Sequence, residues 1–340
     1  MTIVWSVMLL LCLTMYVLLD GYDLGIGIGM LFERDAAWRR VMLEEVAVAW
    51  DGNETWLVLF GVSLWAGFPL AFGTLLPHAY LPVVVMLFAL IVRGVAVEMA
   101  SQAPPAPRWE LAFAVASLTA ALAQGAAAAT MVADLSVTGG AFSGSAFGAV
   151  SWYSALAALT LACVYLSLGY AYLNSKTTGD LRSAAGRRGT IAVVGAAALI
   201  AISLDSVNAT DAPLRLDSAG RAIGFAGLLL FAAAGLGITL VSLHRQSLSG
   251  ALPFAGMAIT VVALLAAVVL AHAPVIAPPS LTAAGSVAPD LTMEFLAVGV
   301  GLNMPLILFY NWFAHRAFRA GPAEAKGPGR TSIGADHVQG

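Results

Sequence analysis

What most constrains this chain is the recurrence of apolar runs long enough to cross a lipid bilayer. A helix needs about 20 apolar residues to span hydrocarbon about 30 Å thick, and such runs follow one another along nearly the whole sequence. Sixty per cent of the residues are hydrophobic and 10% charged, against roughly 25% charged in an average soluble domain. One aqueous core cannot hide that much apolar surface, so lipid is the main solvent and an all-α polytopic membrane protein is the expected fold. A formal charge of -3 and the lack of a basic run with interleaved aromatics exclude nucleic acid as a partner. Cys12 and Cys163 both lie inside apolar runs, which reads as packing rather than a disulfide or a metal site. The first cation is Arg34, so the opening run lacks the positive n-region of a secretory signal and reads as a retained span.

Hydropathy divides the chain into nine candidate transmembrane helices: about Val4 to Leu31, Trp50 to Leu76, Ala79 to Ala100, Trp109 to Leu135, Ala149 to Leu173, Ile191 to Leu204, Ala222 to Leu243, Pro253 to Val275 and Met293 to Ala314. Ala103 to Pro107, Asn174 to Gly189 and Pro274 to Pro289 break the pattern, and they punctuate a membrane bundle rather than separate soluble domains. Of the 16 Lys and Arg residues, thirteen follow odd-numbered spans, two (Arg215 and Arg221) follow even-numbered ones, and Arg93 lies within a span. The positive-inside rule then places the amino terminus outside and the carboxyl terminus in the cytoplasm. The tail, residues 315–340, is rich in Gly and small polar residues after Ala320 and is expected to be disordered.

Ionisable residues are gathered rather than spread. Asp20, Asp23, Asp51, Glu54, Arg93 and Glu98 all belong to the first three spans, on the cytoplasmic side of the expected topology. A charge at a helix centre costs about 2.5 to 3.5 kcal/mol on insertion scales, so these groups are expected to face the interior, pair with one another, or line a wet path. Asp20 and Asp23 are three residues apart, as are Asp51 and Glu54, which projects each pair from roughly one helix face. Arg93 is the one cation available to them. Carboxylates coupled to one guanidinium in low dielectric suit proton relay; the same spacing equally suits an ion network that only pins three helices together. Gly21, Gly25 and Gly29 form a smooth ridge on which another helix can pack, with Gly27 beside it. Trp50 and Trp56 flank the acids of the second span, as interfacial anchors or as rings on which a quinone could stack.

Two blocks, Leu19-Asp-Gly-Tyr-Asp-Leu-Gly-Ile-Gly27 and Trp50-Asp-Gly-Asn-Glu-Thr-Trp-Leu57, resemble subunit II of the cytochrome bd-type quinol oxidases, including the cyanide-insensitive type. Phe68-Pro69, Arg93-Gly94 with Glu98, Pro278-Pro-Ser-Leu-Thr282, and Pro305 with Tyr310 agree with it, and the likeness runs from residue 10 to about residue 320.

The resemblance implies nine spans arranged as two four-helix bundles plus one peripheral helix. Residues 1–135 would form the first bundle with the acidic cluster, 149–275 the second, and 292–314 the ninth helix. It implies a haem-free chain, inactive alone, in a bacterial inner membrane. The partner would be a subunit I that holds haems b and d and oxidises quinol, with a small accessory subunit as a further partner. His78, His244, His272, His315 and His337 lie at or beyond span ends, with no facing pair suited to axial haem ligation. By position the resemblance implies a proton route from the cytoplasm with Asp23 and Asp51 among its acidic members. Asp20, Glu54, Arg93 and Glu98 join that route by placement, and Trp50 is the position of a quinone contact. A proton-coupled secondary transporter is the competing reading, but no second copy of the acidic blocks occurs in residues 149 to 314. A purely structural scaffold subunit is another.

Overall fold

A computed structural model describes residues 1–102, 106–132, 137–138, 141–142, 144, 147, 149–207, 214–245, 250–277 and 281–317. Residues 103–105 and 278–280, inside two expected breaks, and the tail beyond residue 317 lie outside them.

The chain is built from helices, as hydrocarbon demands: without water to bond, every backbone N–H and C=O must be satisfied within the protein. In chain order they are α1 (Thr2–Met30), α2 (Ala36–Ala47), α3 (Trp50–Gly67), α4 (Pro69–His78), α5 (Tyr80–Gln102), α6 (Pro107–Ala128), α7 (Trp152–Lys176), α8 (Gly179–Ser206), α9 (Ala219–His244), α10 (Leu252–His272), the short α11 (Ala283–Ser286) and α12 (Asp290–Ala317). Two small antiparallel pairs, β1 (Val137–Thr138) with β2 (Ala141–Phe142) and β3 (Val275–Ala277) with β4 (Leu281–Thr282), lie in the connections.

Among the described residues, eight helices are long and apolar enough to cross a membrane. The second expected span is instead two helices, α3 and α4, broken at Phe68-Pro69. Proline lacks an N–H and disfavours helical geometry at the residue before it, and Phe68 accordingly sits at φ -132°, ψ 63°. The Gly67 carbonyl is satisfied across the break by the backbone N–H of Ala288 at 2.9 Å. Trp5, Phe68, Ala71, Ala277 and Met293 close a small core there, at the end of the molecule where α1 begins.

The sixth apolar run is the middle of a longer helix. α8 starts at Gly179, whose φ of +64° favours a residue without Cβ. Arg182, Arg187 and Arg188 therefore ride on its first turns, and only Thr177 and Thr178 separate it from α7. Hydropathy finds the apolar length of a helix and misses a polar end projecting beyond it.

α1 lies at the centre, packed against α3, α6 and α7, while α5 pairs with α6, α7 with α8 and α9 with α10. Its glycines permit this. A methyl group on Gly25 would meet the Tyr165 carbonyl, and Gly169 faces Gly25 from α7 in the same way, so the two backbones nearly touch. Gly21 lies against the Tyr165 ring and Gly29 against Met42 and Tyr170, while Gly27, on another face, meets Ser117 of α6. α9 and α10 approach at Gly235 and Gly256, where Thr239 and Thr260 donate across to the Pro253 and Ala232 carbonyls at 3.2 and 3.1 Å. α12 packs against α3 at the edge.

α2 does not span. Asp35 caps it, accepting from the N–H groups of Ala37 and Trp38. Met42, Leu43 and Val46 give it one buried face against α1 and α5. Arg39 ties it to Glu110 of α6 at 2.8 Å. Beside it, Arg188 of α8 pairs with Glu33. α2 thus covers the end of the molecule where α1 finishes.

Candidate functional site: a buried carboxylate and guanidinium network

Three helices supply the site. From α1, Asp20 and Asp23 are fully buried, and from α5 so is Arg93. The guanidinium divides its donors: Nη1 reaches Asp20 Oδ1 at 2.7 Å and Nη2 reaches Glu54 Oε2 of α3 at 2.9 Å. The Glu54 side chain keeps 27% of its surface exposed, so it alone among these acids opens outward.

Asp23 does not touch Arg93. Its Oδ2 accepts from Asn53 Nδ2 at 2.8 Å, and the same amide donates to the Tyr22 hydroxyl at 2.9 Å. Asp23 Oδ1, Asn53 Oδ1 and Arg93 Nε have no protein partner among the described residues, although all are buried. Buried polar atoms are normally paired with protein or water, so these three keep hydrogen-bonding capacity that the surrounding side chains do not use.

Toward the middle of α1, Tyr16 lies beside Asp20 and accepts from Gln124 Nε2 of α6, and Gln124 Oε1 accepts from the Tyr165 hydroxyl of α7 at 2.8 Å. On the other side, Tyr22 stacks on Tyr172 of α7, with ring centroids 4.1 Å apart and planes within 8°. The network therefore crosses from α3 and α5 through α1 to α6 and α7.

Of the six charged residues singled out in the sequence, the structure joins Asp20, Glu54 and Arg93 directly and sets Asp23 beside them through Asn53. Asp51 and Glu98 stay apart. Asp51 is exposed in the first turn of α3, where a carboxylate is favoured by the helix dipole. Glu98 is exposed on α5 and accepts from Gln102 at 2.9 Å, one turn along its own helix. Trp50 is half-buried, and the edge of its indole covers Gly94, where a Cβ would come within 3.0 Å; Trp56 is fully buried. Tyr16, Tyr22, Asn53, Gln124, Tyr165 and Tyr172 belong to the network and were not anticipated. The signals were faint: Tyr16 precedes Asp20 by one helical turn, Asn53 lies within the acidic block, and Gln124 is a lone amide in an alanine-rich run.

Among the described residues, no group of three or more His, Cys, Asp and Glu could hold a metal ion. His78 ends α4, His244 ends α9, and His272 ends α10 with Nδ1 on the Val268 carbonyl at 2.9 Å. The side chain of His315 and all of His337 lie outside the described residues.

Fold and site together define a many-spanned helical membrane protein in which the fully buried Asp20, Asp23 and Arg93 are gathered at one place. A family model described as cytochrome bd terminal oxidase subunit II matches residues 1–318. The chain belongs to that family. It is 25% identical over 213 residues to cytochrome bd ubiquinol oxidase subunit 2 of Bacillus subtilis, covering 59% of this chain and 63% of that one. It is 24% identical over 213 residues to cytochrome bd-I ubiquinol oxidase subunit 2 of Escherichia coli K12, covering 60% and 56%. The chain thus spans less than two thirds of the length of these curated relatives. The fold matches a chain in the structure of bd oxidase from Geobacillus thermodenitrificans with a TM-score of 0.74, at 17% identity, over 94% of this chain and 98% of that one.

Proposed function

We propose that this chain is the haem-free second subunit of a quinol:oxygen oxidoreductase and that its buried network carries protons from the cytoplasm toward the oxygen-reducing site of a haem-bearing partner. The observation that carries this reading is the charge count: three carboxyls, Asp20, Asp23 and Glu54, surround one guanidinium, Arg93, in a nearly closed space. Fully ionised, that set has a net charge of -2, which low dielectric penalises strongly. A set that holds protons, next to unpaired buried polar atoms able to bind water, can pass them on. Glu54, which is partly exposed, gives the set an outlet between α3 and α5, the helices that also carry exposed Asp51 and Glu98, and that outlet is where the partner subunit would receive protons.

In this reading Arg93 holds Asp20 and Glu54 in place, Asn53 orients Asp23, and no step requires a cofactor in this chain. Haems b and d belong to subunit I, with a small accessory subunit as a further neighbour. Trp50 is the residue here against which a quinone ring would stack. α3 and α4 together make the second of nine spans. α1 and α3 to α6 form one four-helix bundle, α7 to α10 another, and α12 the peripheral helix. The cation asymmetry puts the amino terminus outside and α2, with the tail, in the cytoplasm. A charge crossing 100 mV is worth about 2.3 kcal/mol, so drawing protons from the inner side conserves energy without a pump.

The test is Asp23→Asn in the assembled complex. Asn keeps the shape and an acceptor for Asn53 but cannot carry an exchangeable acid proton. Haem content per complex should be unchanged, while oxygen uptake with excess quinol should fall by about a hundredfold or more, the scale of an essential proton-transfer group. Unchanged turnover would refute the relay. A purely structural network, which the two Arg93 ion pairs would also suit, predicts loss of assembly instead.

A further inference from the structure

The two aspartates of α1 stand three residues apart and meet different partners. Asp20 Oδ1 accepts from a charged donor, Arg93 Nη1, at 2.7 Å, and both side chains are fully buried. Asp23, equally buried, accepts at Oδ2 from a neutral donor, Asn53 Nδ2, at 2.8 Å. That nitrogen also lies 2.9 Å from the Tyr22 hydroxyl and 3.3 Å from the Leu19 carbonyl, so its two hydrogens are divided among three oxygens. Asp23 Oδ1 has no protein partner among the described residues.

A carboxyl group taken out of water stays ionised where a cation or several donors face it, and otherwise keeps its proton. The ionisable groups around Asp23 are Asp20, Arg93, Glu54 and Tyr22, with Tyr172 of α7 stacked on the Tyr22 ring. Arg93 is the cation among them, and its two Nη atoms are already on Asp20 and Glu54. Its charge is matched before Asp23 is counted. Cations on other helices packed against α1 are committed elsewhere. Arg39 and Arg40 of α2 pair with Glu110 and Glu44, Arg108 of α6 is exposed, and Lys176 Nζ of α7 lies 5.4 Å from the centre of the Tyr172 ring.

Deepening the relay reading above, on which its functional meaning rests, we propose that Asp23 carries the resting proton of the network as a neutral carboxylic acid, while Asp20 is the permanent anion that matches Arg93. Ionised, Asp23 would rest on one shared neutral donor in a space without a free cation; protonated, it needs no counter-charge. A fixed anion and an exchangeable acid at neighbouring positions of one helix let the site keep its ion pairs while its proton comes and goes.

The experiment is infrared spectroscopy of the purified, assembled oxidase at neutral pH, without turnover, on samples matched by haem content. A protonated carboxyl absorbs above the main amide band and an ionised one below it. Asp23→Asn replaces a neutral group by a neutral group of the same shape, so the complex should assemble with its haems unchanged and lose protonated-carboxyl absorbance equal to one group per complex. Asp20→Asn instead strands Arg93 from a buried partner and should lower the yield of haem-containing complex. An Asp23→Asn complex that keeps the upper band, that loses carboxylate absorbance instead, or that fails to assemble would overturn the proposal, as would an Asp20→Asn yield equal to that of the unaltered complex. Oxygen uptake by Asp23→Asn, measured alongside, separates the two levels. If the band is lost and turnover is kept, Asp23 holds a proton but the relay fails; if the band is kept and turnover is lost, the relay stands and its resting proton lies elsewhere.

Discussion

Arg93 is the residue on which the local structure turns. Its guanidinium is fully buried with both Nη atoms on carboxylates, and breaking such a pair costs about 3 to 5 kcal/mol because it strands the partner charge. Arg93→Leu should therefore sharply reduce the yield of assembled complex, measured as haem-containing complex per milligram of membrane protein, and adding Asp20→Asn should recover part of it. Asp51→Asn should leave that yield unchanged, because Asp51 makes no contact with Arg93, and should slow turnover if the exposed flank belongs to the proton route. The acidic blocks and the lone arginine were legible in the sequence, but the pairing was not. Residues three apart on a helix point about 60° away from each other. That angle sends Asp20 to Arg93 of α5 and Asp23 to Asn53 of α3, and brings Glu54 onto Arg93 while leaving Asp51 fully outside. Tyr16, Gln124 and Tyr165 come from three separate helices, so no local spacing connects them.

At the scale of the helix, the decisive contacts are close backbone approaches. Gly25→Ala would drive a methyl group into the Tyr165 carbonyl, which neither backbone can relieve without parting α1 from α7. Loss of assembled complex should exceed that for Gly61→Ala, where a Cβ meets nothing within 4 Å; equal yields for the two would show that the contact is not limiting. The ridge of Gly21, Gly25 and Gly29 could be read from its four-residue spacing, because a helix returns to the same side about every 3.6 residues. Which helix it would meet could not, since Gly169 lies in the chain more than a hundred positions away. The proline at position 69 was visible too, yet whether an X-Pro step merely kinks a span or divides it depends on what satisfies the freed carbonyl. Here that is Ala288, from a distant segment.

For the whole molecule, apolar run length foretold helices, while cation asymmetry predicts which ends share a side. A reporter fused after Arg330 should read cytoplasmic, and one between Ala273 and Pro289 periplasmic; the reverse pattern would put α2 and the acidic cluster on the wrong side for proton uptake. Helix ends were less legible because a helix leaving lipid no longer needs apolar residues, as the arginines at the start of α8 illustrate. The central claim is that this chain serves an oxidase without holding its haem. Its most direct measurement is mild-detergent purification of the tagged chain from native membranes, with a visible spectrum taken before and after its partners are dissociated. The account predicts that a haem-bearing membrane subunit co-purifies in fixed ratio and that all haem absorbance leaves with it. A stoichiometric haem remaining on this polypeptide, or a chain that purifies with no haem-bearing partner, would contradict it.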